Sequence, residues 1–201
     1  LSAVQEGHLD VVKFLKDNGG SVDDRDNEGF TSLLLASFCG HLHLVKYLLE
    51  NNSSINEVAN DDATSLLCAA YNGHVDVMEY LLQKGSSIEE KDFQDYTSII
   101  SAASQGHLDA VKFLLEKGSS IHDRNADGRT SYLIACKNGY LDVMKYCLEQ
   151  GNSINEVDEI GNNSITIASA YGHLDIIKWL VQEHGFSLKD TNIYGTCIMN
   201  A

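Results

Sequence analysis

Proline is absent from the 201 residues, an odd omission for a chain rich in short polar links, and one that needs a local explanation. Long apolar runs are also missing: none approaches the ~18 residues of a membrane-crossing helix, and no charged-then-apolar leader opens the chain, so neither a membrane span nor secretion is expected. Cysteine is sparse. The five, at positions 39, 68, 136, 147 and 197, are odd in number and form no C-x-x-C pair, which suits reduced thiols in a cytoplasmic protein better than a disulfide framework. Positive charge is scarce as well, with 14 Lys and Arg against 29 Asp and Glu and a net charge of −15. Such a surface repels phosphate backbones and anionic headgroups, which argues against nucleic acid as a partner and in favour of a basic protein segment. What remains, 43% hydrophobic and 21% charged residues with 16 Gly, describes an ordinary soluble globular chain of one or two domains.

What is present is a period. Gly7-His8-Leu9-Asp10 recurs as Gly40-His41-Leu42-His43, Gly73-His74-Val75-Asp76, Gly106-His107-Leu108-Asp109, Gly139-Tyr140-Leu141-Asp142 and Gly172-His173-Leu174-Asp175, each step being 33 residues. Alanine keeps the same beat at 3, 36, 69, 102, 135 and 168, and a Thr-Ser pair does so from Thr31, Thr64, Thr97 and Thr130 before becoming Asn163-Ser164. Within one unit, Leu33, Leu34 and Ala36 have helical spacing and run into Gly40, a residue suited to a left-handed helix end. A second stripe, Leu44, Val45, Leu48 and Leu49, follows the i, i+3, i+4 rule. Neither helix is long enough to stand alone in water. Tight-turn residues such as Asp26 with Gly29 and Asp158 with Gly161 link the units, and the small alanines mark points where helices of adjacent units approach closely.

A period of 33 with the phrase Thr64-Ser65-Leu66-Leu67-Cys68-Ala69-Ala70-Tyr71-Asn72-Gly73-His74, followed by Val77, Leu81, Leu82 and Gly85, resembles the ankyrin-repeat family from end to end. The resemblance implies an all-α solenoid of stacked helix-turn-helix units joined by short β-turn or hairpin fingers. The chain departs from the family's phrase twice. The usual Pro is Ser at 32, 65, 98, 131 and 164, and the usual His is Leu34, Leu67, Ile100, Leu133 or Thr166. The missing prolines are therefore one substitution made five times. It is tolerable because the preceding Thr still caps the helix, although the preset φ is lost.

Starting each unit at the turn Asp gives full repeats at 26–58, 59–91, 92–124, 125–157 and 158–191, with partial ones at 1–25 and 192–201. One extra residue near His184 shifts the expected Gly to Gly185 and aligns Gly195 with Gly161 and Met199 with Ile165. A competing register would match Ala201 to Ala168. Leu9, Val11, Val12, Phe14 and Leu15 are as apolar as any inner unit, so the chain is expected to be a segment of a longer array.

Catalytic and metal chemistry find little support. The histidines at 8, 41, 74, 107 and 173 form a ladder with one rung per repeat, but packed helices lie ~8–10 Å apart, too far for rungs to share an ion whose ligands must sit ~2 Å away. Their expected role is to fix the turn between helices and touch the adjoining unit. Cys68, Cys136 and Cys147 fall in apolar patterns; Cys39, before Gly40, is the one thiol placed to react. No phosphate loop or nucleophile elbow occurs. No cofactor, metal or enzymatic activity is expected.

In arrays of this kind, as the resemblance implies, turn tips and the outward residues of the first helix line a concave face where partners bind. Here those positions hold Phe30, Phe38, Tyr71, Phe93, Tyr96, Arg129, Lys137, Ile160 and Tyr171, and the aromatics among them occupy sites the frame does not need. They are either interface anchors or rings tucked against neighbouring turns. Tip charges are uneven. The groups Asp23, Asp24, Asp26, Glu28 against Arg25, then Glu57, Asp61, Asp62, then Glu89, Glu90, Asp92, Asp95 against Lys91, each net −3; Asp123 and Asp127 cancel Arg124 and Arg129; Glu156, Asp158 and Glu159 restore −3. This favours a monomeric scaffold for a protein or peptide, a basic one fitting best; acidity that serves solubility alone is the competing reading. Two further alternatives are a spacer or elastic tether within a larger polypeptide, and a substrate for hydroxylation at Asn56 and Asn155, which match the turn-tip Asn modified in some ankyrin-like proteins.

Overall fold

A computed structural model describes residues 1–187 and the backbone of 191–192 and 195–196. Cys197 and the matches proposed for Met199 and Ala201 lie outside the described residues. Among these residues there are twelve helices in two rows. The first helices of each pair are α1 (Ser2–Gln5), α3 (Ser32–Phe38), α5 (Ser65–Tyr71), α7 (Ser98–Ser104), α9 (Ser131–Asn138) and α11 (Ser164–Tyr171). The second are α2 (Leu9–Asp17), α4 (Leu42–Glu50), α6 (Val75–Lys84), α8 (Leu108–Glu116), α10 (Leu141–Glu149) and α12 (Leu174–His184). Each first helix packs on its neighbour along the row and on its own partner. Two-residue strands β1 (Thr191–Asn192) and β2 (Gly195–Thr196) pair antiparallel.

Helices of seven to eleven residues persist because burial replaces length. The alanines at 36, 69, 102, 135 and 168 are fully buried, as are Leu33, Leu66, Ile99 and Ile165 beside them. Caps are uneven. Thr31, Thr64 and Asn163 accept the amides of Leu34, Leu67 and Thr166 at 3.4, 3.3 and 3.1 Å, whereas Thr97 and Thr130 make no capping bond. The expected uniform Thr cap is thus only partial. The Ser that replaces Pro has a cost of its own: Ser65, Ser98 and Ser131 are fully buried and their hydroxyls have no hydrogen-bond partner.

Three devices tie one repeat to the next. The ring nitrogens of His41, His74 and His173 donate to the carbonyls of Gln5, Phe38 and Lys137 at 2.9, 3.0 and 2.7 Å. A Cβ on Gly40 would lie 2.5 Å from the His74 ring, and Tyr140 presses as closely on Gly106. The rung therefore reaches back to the preceding repeat, and glycine is required there by contact as well as by its positive φ of 77°. Second, the loop tips form a backbone ladder, with the amides of Asn60, Phe93, Ala126 and Glu159 donating to the carbonyls of Glu28, Asp61, Gln94 and Asp127 at 2.9–3.0 Å. Third, Arg25 donates to the Val58 carbonyl at 2.5 Å and Arg124 to that of Val157 at 3.1 Å. The left-handed residue that closes each second helix steps from Gly151 to Gly185, 34 residues instead of 33, so α12 carries one extra residue.

Candidate functional site

The cavity that matters opens across the tips of the first three full repeats and the first helices beneath them. It measures about 370 Å³ and is lined by Phe30, Phe38, Tyr71, Asp61, Ala63 and Asp92, with Cys68 also on its wall. Phe38 and Tyr71 are the last residues of α3 and α5, one repeat apart, so their rings stack at 6.3 Å with an interplanar angle of 19°. Phe30 meets Phe38 edge-on at 6.0 Å, and its other side covers Leu34, Ala59 and Cys68. Phe38 and Tyr71 remain 38% and 43% exposed, which leaves an aromatic wall open to a ligand.

Carboxylates face this wall. Asp92 Oδ1 accepts the amides of Gln94 and Tyr96 at 2.8 and 2.9 Å, and Asp61 Oδ1 that of Ala63 at 3.1 Å. Burial raises the Asp92 pKa above the usual carboxylate range against the pull of those two amides, and the like charges of Asp61 and Asp95 push it the same way. Burial, with Asp61 behind it, pushes the Cys68 thiol up to about 12, so it is a wall and not a nucleophile. Cys39, the thiol placed to react, is half-buried, and its pKa is also raised, first by desolvation and then by Glu6, which lowers its thiolate fraction at neutral pH.

The other candidate residues are distributed differently. Phe93 is 64% exposed on its tip, Ile160 is exposed, and Tyr171 is exposed with the Lys137 ammonium 5.5 Å over its ring. Tyr96 is half-buried and packs on the core, one of the tucked rings, and it lines a second cavity of about 130 Å³ with Asn125, Asp127 and Lys137. Arg129 is held inside the array: Nε and Nη2 reach Asp158 Oδ2 at 3.1 and 3.0 Å, and Nη1 reaches Asp127 Oδ2 at 3.0 Å. The structure brings Phe30, Phe38 and Tyr71 together; Tyr96 and Lys137 meet at the second cavity. Asn56 and Asn155 are exposed on their tips. Among the described residues no three His, Cys, Asp or Glu gather as a metal-binding group, and no helix is long and apolar enough to cross a membrane.

Sequence reasoning missed where the few cations go. On the second helices Lys13, Lys46, Lys112 and Lys145 lie over Tyr47, Tyr80, Tyr146 and Trp179 at 5.3–5.6 Å. The signal was a Lys followed 34 residues later by an aromatic. These ammonium groups lie on the second-helix row, away from the tip carboxylates Asp61 and Asp92.

A stack of helix pairs tied tip to tip is a solenoid, and an aromatic and acidic cavity opens on it. The family model for ankyrin repeats matches the chain three times, over residues 1–92, 55–125 and 99–192, and the chain belongs to the ankyrin-repeat family. Ankyrin repeats are in general protein–protein interaction modules and typically non-catalytic. No curated protein matches the chain.

Proposed function

We propose that the array is a non-catalytic, monomeric, cytoplasmic scaffold that holds a protein or peptide of basic character on the face formed by its turn tips and first helices. The observation that carries this reading is the cavity of about 370 Å³, where open aromatic rings stand beside two carboxylates that no cation of the chain reaches among the described residues. Aromatic anchors supply contact area at small entropic cost, and the acidic rim accelerates encounter with a positive partner. The four cysteines among the described residues are free thiols, which suits a reducing compartment.

The test changes the exposed rings Phe38, Tyr71 and Phe93 together to Ser, checks by circular dichroism that helicity is kept, and compares the proteins captured from the native cell extract with those captured by the unchanged chain. Loss of the captured partner supports the scaffold. If every captured protein stays, the face is not the binding surface, and the array serves instead as a tether within a larger polypeptide, a reading favoured by the continuous backbone ladder along the tips.

A further inference from the structure

We propose that the cavity beside Ala63 receives an arginine side chain of the partner, whose guanidinium bridges Asp61 and Asp92 while its stem lies along Phe38 and Tyr71. The inference rests on the reading of this face as the recognition surface and names the chemistry it reads.

The chain supplies its own comparison. Two repeat lengths, 66 residues, separate Asp61, Ala63 and Asp92 from Asp127, Arg129 and Asp158, so the two sets occupy the same three positions of the unit. In the later set the two carboxylates are joined by Arg129, whose side chain is 12% exposed and whose partner Asp158 is 1% exposed. In the earlier set the joining residue is a methyl group, and a cavity takes its place.

The backbone frame is the same in both. Asp92 Oδ1 accepts amides two and four residues ahead, as Asp158 Oδ1 accepts those of Ile160 and Asn162. Phe93 donates to the Asp61 carbonyl as Glu159 donates to that of Asp127, both at 3.0 Å. Asp62 and Asp95 adopt positive φ of 62° and 59° where Gly128 and Gly161 have 73° and 80°, which keeps the turns alike at the expense of a strained non-glycine residue. All hydrogen bonds of the Asp61 and Asp92 carboxylates run to Oδ1.

A guanidinium suits this arrangement better than an ammonium. Its planar fork meets two carboxylates at once and its face stacks on aromatic rings, while it loses less hydration than lysine. The raised pKa of Asp92 is relieved by the arriving charge. The surrounding tips carry Glu28, Asp62 and Asp95, so a free carboxylate on the ligand is repelled and a capped or internal arginine in a peptide is selected.

The test uses the full chain, ¹⁵N-labelled, titrated with capped pentapeptides of Gly and Ser around one central Arg, citrulline, Lys or Leu. The Arg peptide is expected to shift the amides of Asp61, Ala63, Tyr71 and Asp92 saturably, with the citrulline and Lys peptides weaker by about tenfold. Ala63→Arg should supply the guanidinium in cis, abolish the shift, and keep or raise the thermal midpoint. Asp61→Asn and Asp92→Asn decide the matter if that variant fails to fold, each weakening the Arg peptide by about tenfold. The proposal is overturned if the Arg peptide produces no saturable shift, if citrulline or Lys binds as well as Arg, or if the variants bind as the original does. A native partner lost on the triple Ser change but retained by Ala63→Arg would leave the scaffold standing and remove the arginine.

Discussion

Restoring proline at one of the five positions where Ser stands in its place should stabilise the array, and the structure says at which position it should not. Ser131 is the first residue of α9 and is fully buried, with a hydroxyl that has no partner. An unsatisfied buried hydroxyl costs about 1–3 kcal/mol. Its amide, at the first position of a helix, has no intrahelical acceptor to lose. Thr130 has φ −80° and ψ 172°, extended backbone of the kind to which proline confines the residue before it, and proline's fixed φ matches the first helical turn. Lowering the entropy of the unfolded chain adds about 0.4–1 kcal/mol, and accommodating the ring in a filled site takes part of the gain back. Ser131→Pro should therefore gain about 1–2 kcal/mol, or ~3–6 °C in thermal midpoint for a chain of this size. Ser32 is the internal control, because its amide donates to the Val22 carbonyl at 3.3 Å. Ser32→Pro breaks that bond and should gain nothing. Urea and thermal unfolding followed by far-ultraviolet circular dichroism compare the two. A lower midpoint for Ser131→Pro, or an equal gain from Ser32→Pro, would refute the reasoning.

Two further outcomes follow from hydrogen bonding within a repeat and from burial. Thr31 and Thr130 donate to Glu57 and Glu156 of the same repeats' far ends, whose other oxygens accept the Ser54 and Ser153 amides at 2.9 and 3.2 Å. Asp123, one methylene shorter at the matching position, leaves the Thr97 hydroxyl buried and unpaired. Asp123→Glu should add about 1 kcal/mol in urea unfolding, and a gain that persists beside Thr97→Val would show that the bond is not its source. Cys68, Cys136 and Cys147 are each pushed up to about 12 by burial from 9.0. A raised folded value means that their contribution to stability is complete below pH 9 and is lost as pH climbs towards 12. The urea midpoint should fall between pH 8 and about 10.5, and iodoacetamide at pH 8 should label these thiols only after unfolding; native labelling as fast as denatured labelling would overturn the burial argument.

The frame was legible because it is written six times. Gly40, His74 and Ala36 repeat in one beat, and the structure gives each a contact that explains the beat: ring on glycine, imidazole on carbonyl, alanine between helices. Phe38 and Tyr71 stood out because nothing in the frame needs a ring there. What a single unit cannot show is the set of local exceptions. Thr97 looks like Thr64 in sequence, and only the position of its hydroxyl shows that it does not cap. Tyr96 and Phe93, three residues apart, divide into a half-buried ring and an exposed one by the direction of the turn. Asp61 and Asp92 read as solvated tip acids until they are set against Asp127 and Asp158, and the residue that distinguishes the two sets, Ala63, is among the least informative letters in the chain. The comparison that finds it runs between repeats and not along one.

The ladder along the tips joins amide to carbonyl and takes nothing from any side chain. Beside the His and Arg contacts, register at the tips is therefore also held by atoms that every residue but proline carries, and Asn60, Phe93, Ala126 and Glu159 can occupy the same rung with the same bond. A new specificity can be written at these tips one letter at a time without a new solution to folding, and the only residue the rung forbids is the one this sequence never uses.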